Sequence, residues 1–185
     1  MKSSTRLLIR ADDAGSSWSS NIGCLQACTH GIARSVEVMM PCPWSTHAAS
    51  LFNLHPEIDI GIHLTLTSEW DAVKWRPLTP APSLTDEQGN FLPLVLPREG
   101  DIRLPLANTA WSIDEITNEF RAQISLGCAM FENASHVSTH MLRHFKDFDR
   151  DCCVNCDSPE SIKLGRVSGS NLKKLMHEFD LSSDA

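Results

Sequence analysis

Residues 6–15 have the sequence Arg-Leu-Leu-Ile-Arg-Ala-Asp-Asp-Ala-Gly, in which a short apolar run ends at two aspartates and a glycine. Such a run is typical of a buried β-strand whose C-terminal end opens into a loop, because aspartate and glycine favour turns. We therefore predict a first strand over Arg6–Ala11, with Asp12 and Asp13 in the loop that follows it.

Beyond this strand, helical and extended patterns alternate up to residue 66. Helices are indicated by apolar residues at intervals of three or four, and strands by short runs rich in Val, Ile and Met. The predicted elements are a helix containing Ile22, Leu25, Cys28 and Ile32 with Gly31 as its stop, a strand over Ser35–Met40, a helix over Ser45–Leu54 and a strand over Ile58–Leu66. This alternation predicts an α/β fold, with a parallel sheet and helices packed outside it.

The second half of the chain begins with a long segment that has no clear period. Thr67–Trp111 contains most of the ten prolines, and we expect a long loop with a segment that covers the functional site. Ser112 and Glu115 form a capping-box pattern that starts a helix, whose apolar face includes Ile116, Phe120, Ile124 and Phe131. A short fourth strand is predicted over His136–His140.

The bulk composition excludes several classes of partner. The 185 residues are 42% hydrophobic and 21% charged, which is typical of a globular protein. A net charge of −7, without a basic run, argues against a nucleic-acid partner. No apolar run approaches the roughly 20 residues of a membrane helix, and the apolar run near the start is too short for a signal peptide. We therefore predict a cytoplasmic protein without a membrane partner.

Cysteine usage is consistent with a reducing compartment. The number of cysteines is odd, at seven, and Cys24, Cys28, Cys42 and Cys128 are scattered through segments predicted to be regular, as is typical of reduced thiols. The cluster Cys152–Cys156 contains a CxxC spacing, but no matching second pair follows it. A zinc site there is therefore not favoured.

The candidate functional residues are carboxylates and histidines near predicted strand ends. Adjacent carboxylates at Asp12 and Asp13 repel each other and require a cation or a shifted pKa, although the same residues are common in ordinary turns. His63 lies among apolar residues, where a lone histidine is more often a hydrogen-bonded core residue than a ligand. Each feature alone therefore leaves both interpretations open.

Three histidines near the predicted fourth strand are spaced at intervals of four: His136, His140 and His144. This spacing places them on one face of a helix, and an even interval also places His136 and His140 on one face of a strand. The combination is more informative than either spacing, because an aspartate and two histidines from three strand ends form a mixed oxygen and nitrogen site. Divalent metals occupy such sites.

Several motifs in this order resemble the YdjC-like carbohydrate deacetylases. Residues 7–15 are similar to the family's opening strand and its Asp-Asp-Phe-Gly turn, and Ile60–Leu66 is similar to its Gly-x-His-Leu-x-Leu motif. Thr139 and His140, with His136 four residues earlier, resemble its third motif, His-x-Asp-Ser-His. The resemblance covers about residues 5–140.

This resemblance implies a fold, a reaction and a set of site residues. The fold would be a (β/α) barrel-like parallel sheet with outer helices, and the reaction the removal of acetyl groups from N-acetylated carbohydrates. Asp13, His63 and His140 would bind a divalent ion, magnesium by resemblance and zinc as a possible replacement, and Asp12 would be the general base. An N-acetylated oligosaccharide is the implied substrate.

The chain also departs from the family pattern. Ala14 replaces the phenylalanine of the first motif, which changes packing under the site. Ser138 replaces the aspartate of the third motif, and we expect a ligand histidine to lose an orienting carboxylate as a result. Protonation of the leaving amine needs a further residue, for which His136 and His144 are candidates.

The resemblance ends after His140, which leads to expectations about organisation. We expect residues 1–145 to be the N-terminal part of a deacetylase domain and 146–185 a divergent tail, with the barrel incomplete at its C-terminal side. An unpaired sheet edge would then favour a homodimer. The alternative function is a truncated, non-catalytic sugar- or metal-binding remnant of the same fold. A metal-dependent phosphoesterase is disfavoured, because no glycine-rich phosphate cradle is present.

Overall fold

The computed structural model describes residues 7–141. In this range a parallel sheet has the strand order β1-β2-β3-β4, with helices between the strands. The elements are β1 Arg10–Ala14, α1 Trp18–Thr29, β2 Ser35–Val38, α2 Ser45–Phe52, β3 Asp59–Leu64, α3 Ile113–Met130 and β4 Ala134–Thr139. The predicted α/β class, with its parallel sheet and outer helices, is confirmed.

The predicted position of the first strand is wrong. Leu7 and Leu8 are 83% and 43% exposed, and pairing with β2 begins only at Arg10, opposite Ser35. Asp12 and Asp13 therefore lie within β1 and not in the loop after it, while Arg6 lies outside the described residues. The predicted bounds of β2, α2, β3 and β4 agree with the structure to within two residues.

The helix after β1 ends before the predicted stop at Gly31. It begins at Trp18, because the side chain of Ser17 caps it by accepting a hydrogen bond from the backbone N–H of Ser20. It ends at Thr29, so Ile32 does not belong to its apolar face and is 74% exposed. The face that packs inward carries Cys24 and Cys28.

The two faces of the sheet have different chemistry, because successive side chains of a strand point to opposite sides. On one face, apolar side chains join the core formed with the helices, and these are Val36, Val38, Ile60, Ile62, Leu64 and Val137. The alternate positions are mostly polar, and these are Ser35, Glu37, Gly61, His63, His136 and Ser138. The polar face therefore carries the candidate functional residues.

Residues 67–111 form the expected long loop, which contains two short 3₁₀ helices, Pro82–Leu84 and Leu106–Asn108. Its apolar side chains form a second core with Met39, Leu66 and Ile116. Polar side chains of α3 bind its backbone, and Glu119 accepts hydrogen bonds from the N–H groups of residues 78 and 79 at 3.1 and 2.9 Å. The loop is thus packed against α3.

Gln123 of α3 connects the helix to the end of β3. Its side-chain oxygen accepts from the backbone N–H of Thr65 at 2.9 Å, and its amide nitrogen donates to the carbonyl of Thr65 at 2.8 Å. The same amide nitrogen donates to Glu119 at 2.8 Å. These bonds satisfy buried polar groups and hold the strand end at which the long loop begins.

Cys24, Cys28 and Cys42 are buried, Cys128 is half-buried, and none of these four cysteines forms a disulfide. Burial raises the pKa of the Cys24 thiol to about 11, which keeps it protonated and unreactive at neutral pH. Cys152–Cys156 lies outside the described residues. Among the helices of residues 7–141, none has the length and apolar character needed to cross a membrane.

Candidate metal centre

Asp13 is held in an unusual backbone conformation at the end of β1. Its φ is +69°, a region that residues other than glycine rarely occupy, and the strand register shifts between Ala11 and Ala14. The hydroxyls of Ser16 and Ser20 each donate to the carbonyl of Asp13 at 2.7 Å. Such a conformation costs on the order of 1–3 kcal/mol, and these bonds stabilise it and orient the carboxylate.

Gly15 completes this turn and cannot be replaced without strain. Its φ is +90°, and an added Cβ would lie 2.8 Å from the carbonyl oxygen of Met39. Its N–H donates to the side-chain oxygen of Asn21 at 2.6 Å, and the Asn21 amide donates to the carbonyl of Trp44 at 3.1 Å. Asn21 thereby connects the loops that follow β1 and β2.

Asp13, His63 and His140 converge at the C-terminal edge of the sheet, and we call them the Asp-His-His cluster. Asp13 Oδ1 lies 2.9 Å from His140 Nδ1 and 3.3 Å from His63 Nε2. One donor atom from each residue lies within 4.8 Å of the others. The imidazoles are 4% and 9% exposed, whereas the Asp13 side chain is 48% exposed. A carboxylate oxygen and two imidazole nitrogens fit a divalent ion that stays open to solvent on one side.

The electrostatics of the cluster favour a positive charge. The hydrogen bond from His140 is the main cause that holds the pKa of the Asp13 carboxyl far below its ordinary value. Burial works against protonation of His140, but the carboxylates of Asp13 and Glu69 outweigh it and raise its pKa to about 9. The cluster thus stabilises a cation between its carboxylates, which is the property that a metal site requires.

His140 is oriented by a carboxylate from the long loop. Glu69 Oε1 lies 3.1 Å from His140 Nε2, and the same oxygen accepts a hydrogen bond from the hydroxyl of Thr67. The ring nitrogen of His140 opposite to Asp13 is therefore held by an acidic side chain, an arrangement common around metal-binding histidines. The sequence predicted that this loop covers the site, but it contained no signal for Glu69, because the segment has no regular period.

His63 is connected to a carboxylate through Ser138. The expectation that Ser138 leaves a histidine of the site without an orienting carboxylate is therefore wrong. The Ser138 hydroxyl lies 2.7 Å from His63 Nδ1 and donates to the buried carboxylate of Glu37. The orienting carboxylate is therefore supplied by β2 through a hydroxyl group. The feature of the sequence that could have indicated this carboxylate is Glu37 itself, a charged residue between Val36 and Val38 in a strand that is buried throughout.

The other predicted site residues do not join the cluster. Asp12 forms an ion pair with Arg10, in which Oδ1 and Nε are 3.0 Å apart, and its side chain is 42% exposed. His136 is buried and lies 2.6 Å from Glu37, which separates it from the cluster. His144 lies outside the described residues.

Comparisons with known proteins agree with one another. The model of a family described as YdjC-like protein matches residues 6–170, which extends past His140. A carbohydrate deacetylase of Geobacillus stearothermophilus is 32% identical over 133 residues, covering 72% of this chain and 48% of the relative. A chitooligosaccharide deacetylase of Yersinia enterocolitica is 34% identical over 137 residues, again covering 72% and 48%.

A solved structure is also similar. It belongs to an Enterococcus faecalis protein named for the cleavage of cellobiose-phosphate, and it matches with a TM-score of 0.59 at 27% identity. The match covers 72% of this chain and 47% of the other. The chain spans about half the length of the relatives that it matches.

Proposed function

Because this chain belongs to the YdjC-like family, we propose that it is a metal-dependent hydrolase that removes acetyl groups from N-acetylated carbohydrates. The names of the Geobacillus and Yersinia relatives support the reaction. The observation that carries the proposal is the convergence of Asp13, His63 and His140 at one point. Ligands of parallel α/β sheets bind at this edge, beyond the carboxyl ends of the strands.

The donor set supports a divalent ion, with Asp13, His63 and His140 as its protein ligands. Magnesium is the ion expected from the family resemblance, and two imidazole nitrogens also suit zinc. When bound, the ion would supply Lewis-acid polarisation of the acetamide carbonyl and a lower pKa for water. The role of the three side chains is to present their lone pairs at the open, solvent-facing side of the cluster.

Asp12 is the proposed general base. It is the chain neighbour of a ligand, it is partly exposed, and its carboxylate is free of the Asp-His-His cluster. In this role an Oδ atom of Asp12 accepts a proton from the attacking water. The leaving amine also needs a proton, and His144 is the candidate that remains, since His136 is buried beside Glu37.

Exposed tryptophans support a carbohydrate substrate. Trp18, Trp44 and Trp70 are 54%, 41% and 44% exposed, and they follow the C-terminal ends of β1, β2 and β3. Ligand sites are commonly lined by aromatic side chains with a few polar groups between them. We propose that an N-acetylated oligosaccharide is bound at this edge of the sheet. A homodimer, the cytoplasmic location and the boundary at residue 145 stay predictions.

The experiment that tests this function measures acetate released from N,N′-diacetylchitobiose. The protein is stripped with a chelator and reloaded with magnesium or zinc, and His140→Ala is compared with wild type. His55→Ala is the matched control, because His55 contacts Glu57 away from the cluster. We expect acetate release that requires metal, is lost in His140→Ala and is kept in His55→Ala. Metal binding without acetate release would favour the non-catalytic alternative.

A further inference from the structure

Glu37 occupies the centre of a row of residues that crosses the sheet. In the strand register Glu37 of β2 lies opposite Gly61 of β3, which lies opposite His136 of β4. Because Gly61 has no side chain, His136 Nε2 reaches Glu37 Oε1 across it, at 2.6 Å. A Cβ at position 61 would collide with both side chains. The absence of a side chain at Gly61 is thus the condition for this contact.

Both oxygens of the fully buried Glu37 carboxylate accept hydrogen bonds. Oε1 accepts from His136 Nε2 at 2.6 Å and from the Ser35 hydroxyl at 3.2 Å, and Oε2 accepts from the Ser138 hydroxyl. Burial works against ionisation, but the hydrogen bonds from His136 and Ser138 outweigh it and lower the pKa of Glu37. The carboxylate is therefore a fixed acceptor toward Ser138.

The direction of the hydrogen bond between Ser138 and His63 follows from this. A serine hydroxyl has one proton, and an ionised carboxylate can only accept, so the Ser138 proton lies on the Glu37 side. Toward His63 the hydroxyl oxygen can then only accept, and Nδ1 of His63 must donate across the 2.7 Å contact. In the neutral ring the other nitrogen, Nε2, keeps its lone pair and faces Asp13 at 3.3 Å.

We propose that Glu37, acting through Ser138, is a positioning residue that holds His63 in the tautomer whose Nε2 is free to bind a metal ion. This inference rests on the proposed metal site, but the tautomer is a property of the metal-free protein. Gly61 is required for the same set of contacts, because it leaves the space in which Glu37 reaches Ser138. The hydrogen-bond partners of Glu37 among the described residues are His136, Ser35 and Ser138, and of these Ser138 is the one that contacts His63.

Glu37→Gln tests the proposal, because it keeps the shape of the side chain and replaces one acceptor by a donor. Two donors, His136 and Ser35, face the Oε1 position, so the glutamine oxygen belongs there and its NH₂ faces Ser138. The Ser138 hydroxyl would then accept from Gln and donate to His63 Nδ1. The proton of the neutral His63 ring would move to Nε2, the nitrogen that faces Asp13.

The tautomer is measured by ¹⁵N NMR of the metal-free protein near pH 8, above the ordinary pKa of histidine. Magnesium and zinc affinity is measured separately by calorimetry. We expect Glu37→Gln to shift the His63 ring to the Nε2–H form and to weaken metal binding by roughly 10–100-fold. Ser35→Ala is the matched control, because it removes a contact to the same carboxylate and leaves the Ser138 connection intact. It should keep the wild-type tautomer.

Two further variants keep the test decisive if Glu37→Gln does not fold. Ser138→Ala removes the connecting hydroxyl and should release the tautomer preference. The double variant Glu37→Gln with Ser138→Asp places a carboxylate directly at His63 Nδ1 and should restore both the tautomer and the affinity. A folded Glu37→Gln or Ser138→Ala protein with an unchanged His63 tautomer would overturn the proposal. A wild-type protein that binds neither metal would instead contradict the proposed function, and the NMR result would still decide the role of Glu37.

Discussion

Asp13 Oδ1 lies 2.9 Å from His140 Nδ1, although Asp13 belongs to β1 and His140 follows β4, the two edge strands of the sheet among residues 7–141. Neighbouring strands are about 4.8 Å apart, so a flat sheet would separate these edges by about 14 Å. The sheet must therefore curl strongly, so that the C-terminal ends of its outer strands approach each other. This is the curvature that a barrel-like fold needs, and closure of the barrel stays a prediction.

His63→Ala should abolish metal binding, because it removes one of the three converging donors. Elemental analysis of wild-type protein dialysed against magnesium or zinc should give about one ion per chain. The variant should give a value close to zero, and His55→Ala should match wild type. An unchanged metal content in His63→Ala would remove this residue from the site.

Asp12→Asn should separate catalysis from binding. Because Asp12 contacts Arg10 and not the cluster, the variant should keep its metal while deacetylation falls by ~100-fold or more, the scale expected for loss of a general base. Metal content and the rate of acetate release are measured on the same preparation. Release of the metal in this variant would mean that Asp12 and Asp13 exchange the roles assigned to them.

Glu69→Gln should weaken the metal site from the side of the long loop. The carboxylate orients His140 through a 3.1 Å contact, and its loss is expected to reduce metal affinity by roughly 10–100-fold. Calorimetric titration measures the change. The matched control is Glu99→Gln, which alters an exposed glutamate of the same loop and should bind metal like wild type. Equal affinities in the two variants would show that Glu69 does not orient His140.

The contribution of Glu37 to stability should depend on pH. Its folded-state pKa is lowered, so the stabilisation is present above its ordinary pKa and is lost as pH falls toward the lowered value. Unfolding in urea should give wild type an advantage of about 2 kcal/mol over Glu37→Gln near neutral pH, the scale of a hydrogen bond to a charged group. The advantage should shrink below about pH 4.3.

Wild type and Glu37→Gln are compared at each pH, so that the contributions of the other carboxylates to the free energy of unfolding cancel. One of these carboxylates is Asp59, which lies 3.7 Å from His136 on the far side of that ring. The groups that face Glu37 are His136, Ser138 and Ser35. A stability difference that stays constant between about pH 7 and pH 3 would show that the charge of Glu37 does not contribute.

Gly61→Ala should destabilise the fold and separate Glu37 from His136. The added methyl group collides with both side chains, and such overpacking costs about 1–3 kcal/mol. Thermal and urea unfolding measure the loss. Gly23→Ala in α1 is the control, since nothing lies within 4 Å of its added Cβ, and alanine in a helix is favoured by roughly 0.5–1 kcal/mol. A Gly61→Ala protein with the same free energy of unfolding as wild type would mean that the sheet accommodates the methyl group without losing stability.

The sequence alone was sufficient for the order of strands and helices up to residue 66. This order follows from local properties, because apolar spacing distinguishes helix from strand. Local properties also placed an aspartate and two histidines at one edge of the sheet, since the carboxyl ends of parallel strands lie there. The family resemblance identified Asp13, His63 and His140 among the candidates and added the expected reaction. The start of β1 was not predictable from hydrophobicity, because pairing with β2, and not the apolar character of Leu7 and Leu8, determines where the strand begins.

The partners of the two histidines of the Asp-His-His cluster were decided only by the tertiary structure. Glu37 reaches His63 because strand register places it opposite Gly61, and because the serine that replaces the family's aspartate lies one strand further on. Glu69 reaches His140 because α3 and a second apolar core hold the long loop in place. Both contacts join residues about 70–100 positions apart in the chain. Spacing along a sequence describes only near neighbours, whereas such contacts depend on the curvature and packing of the whole sheet.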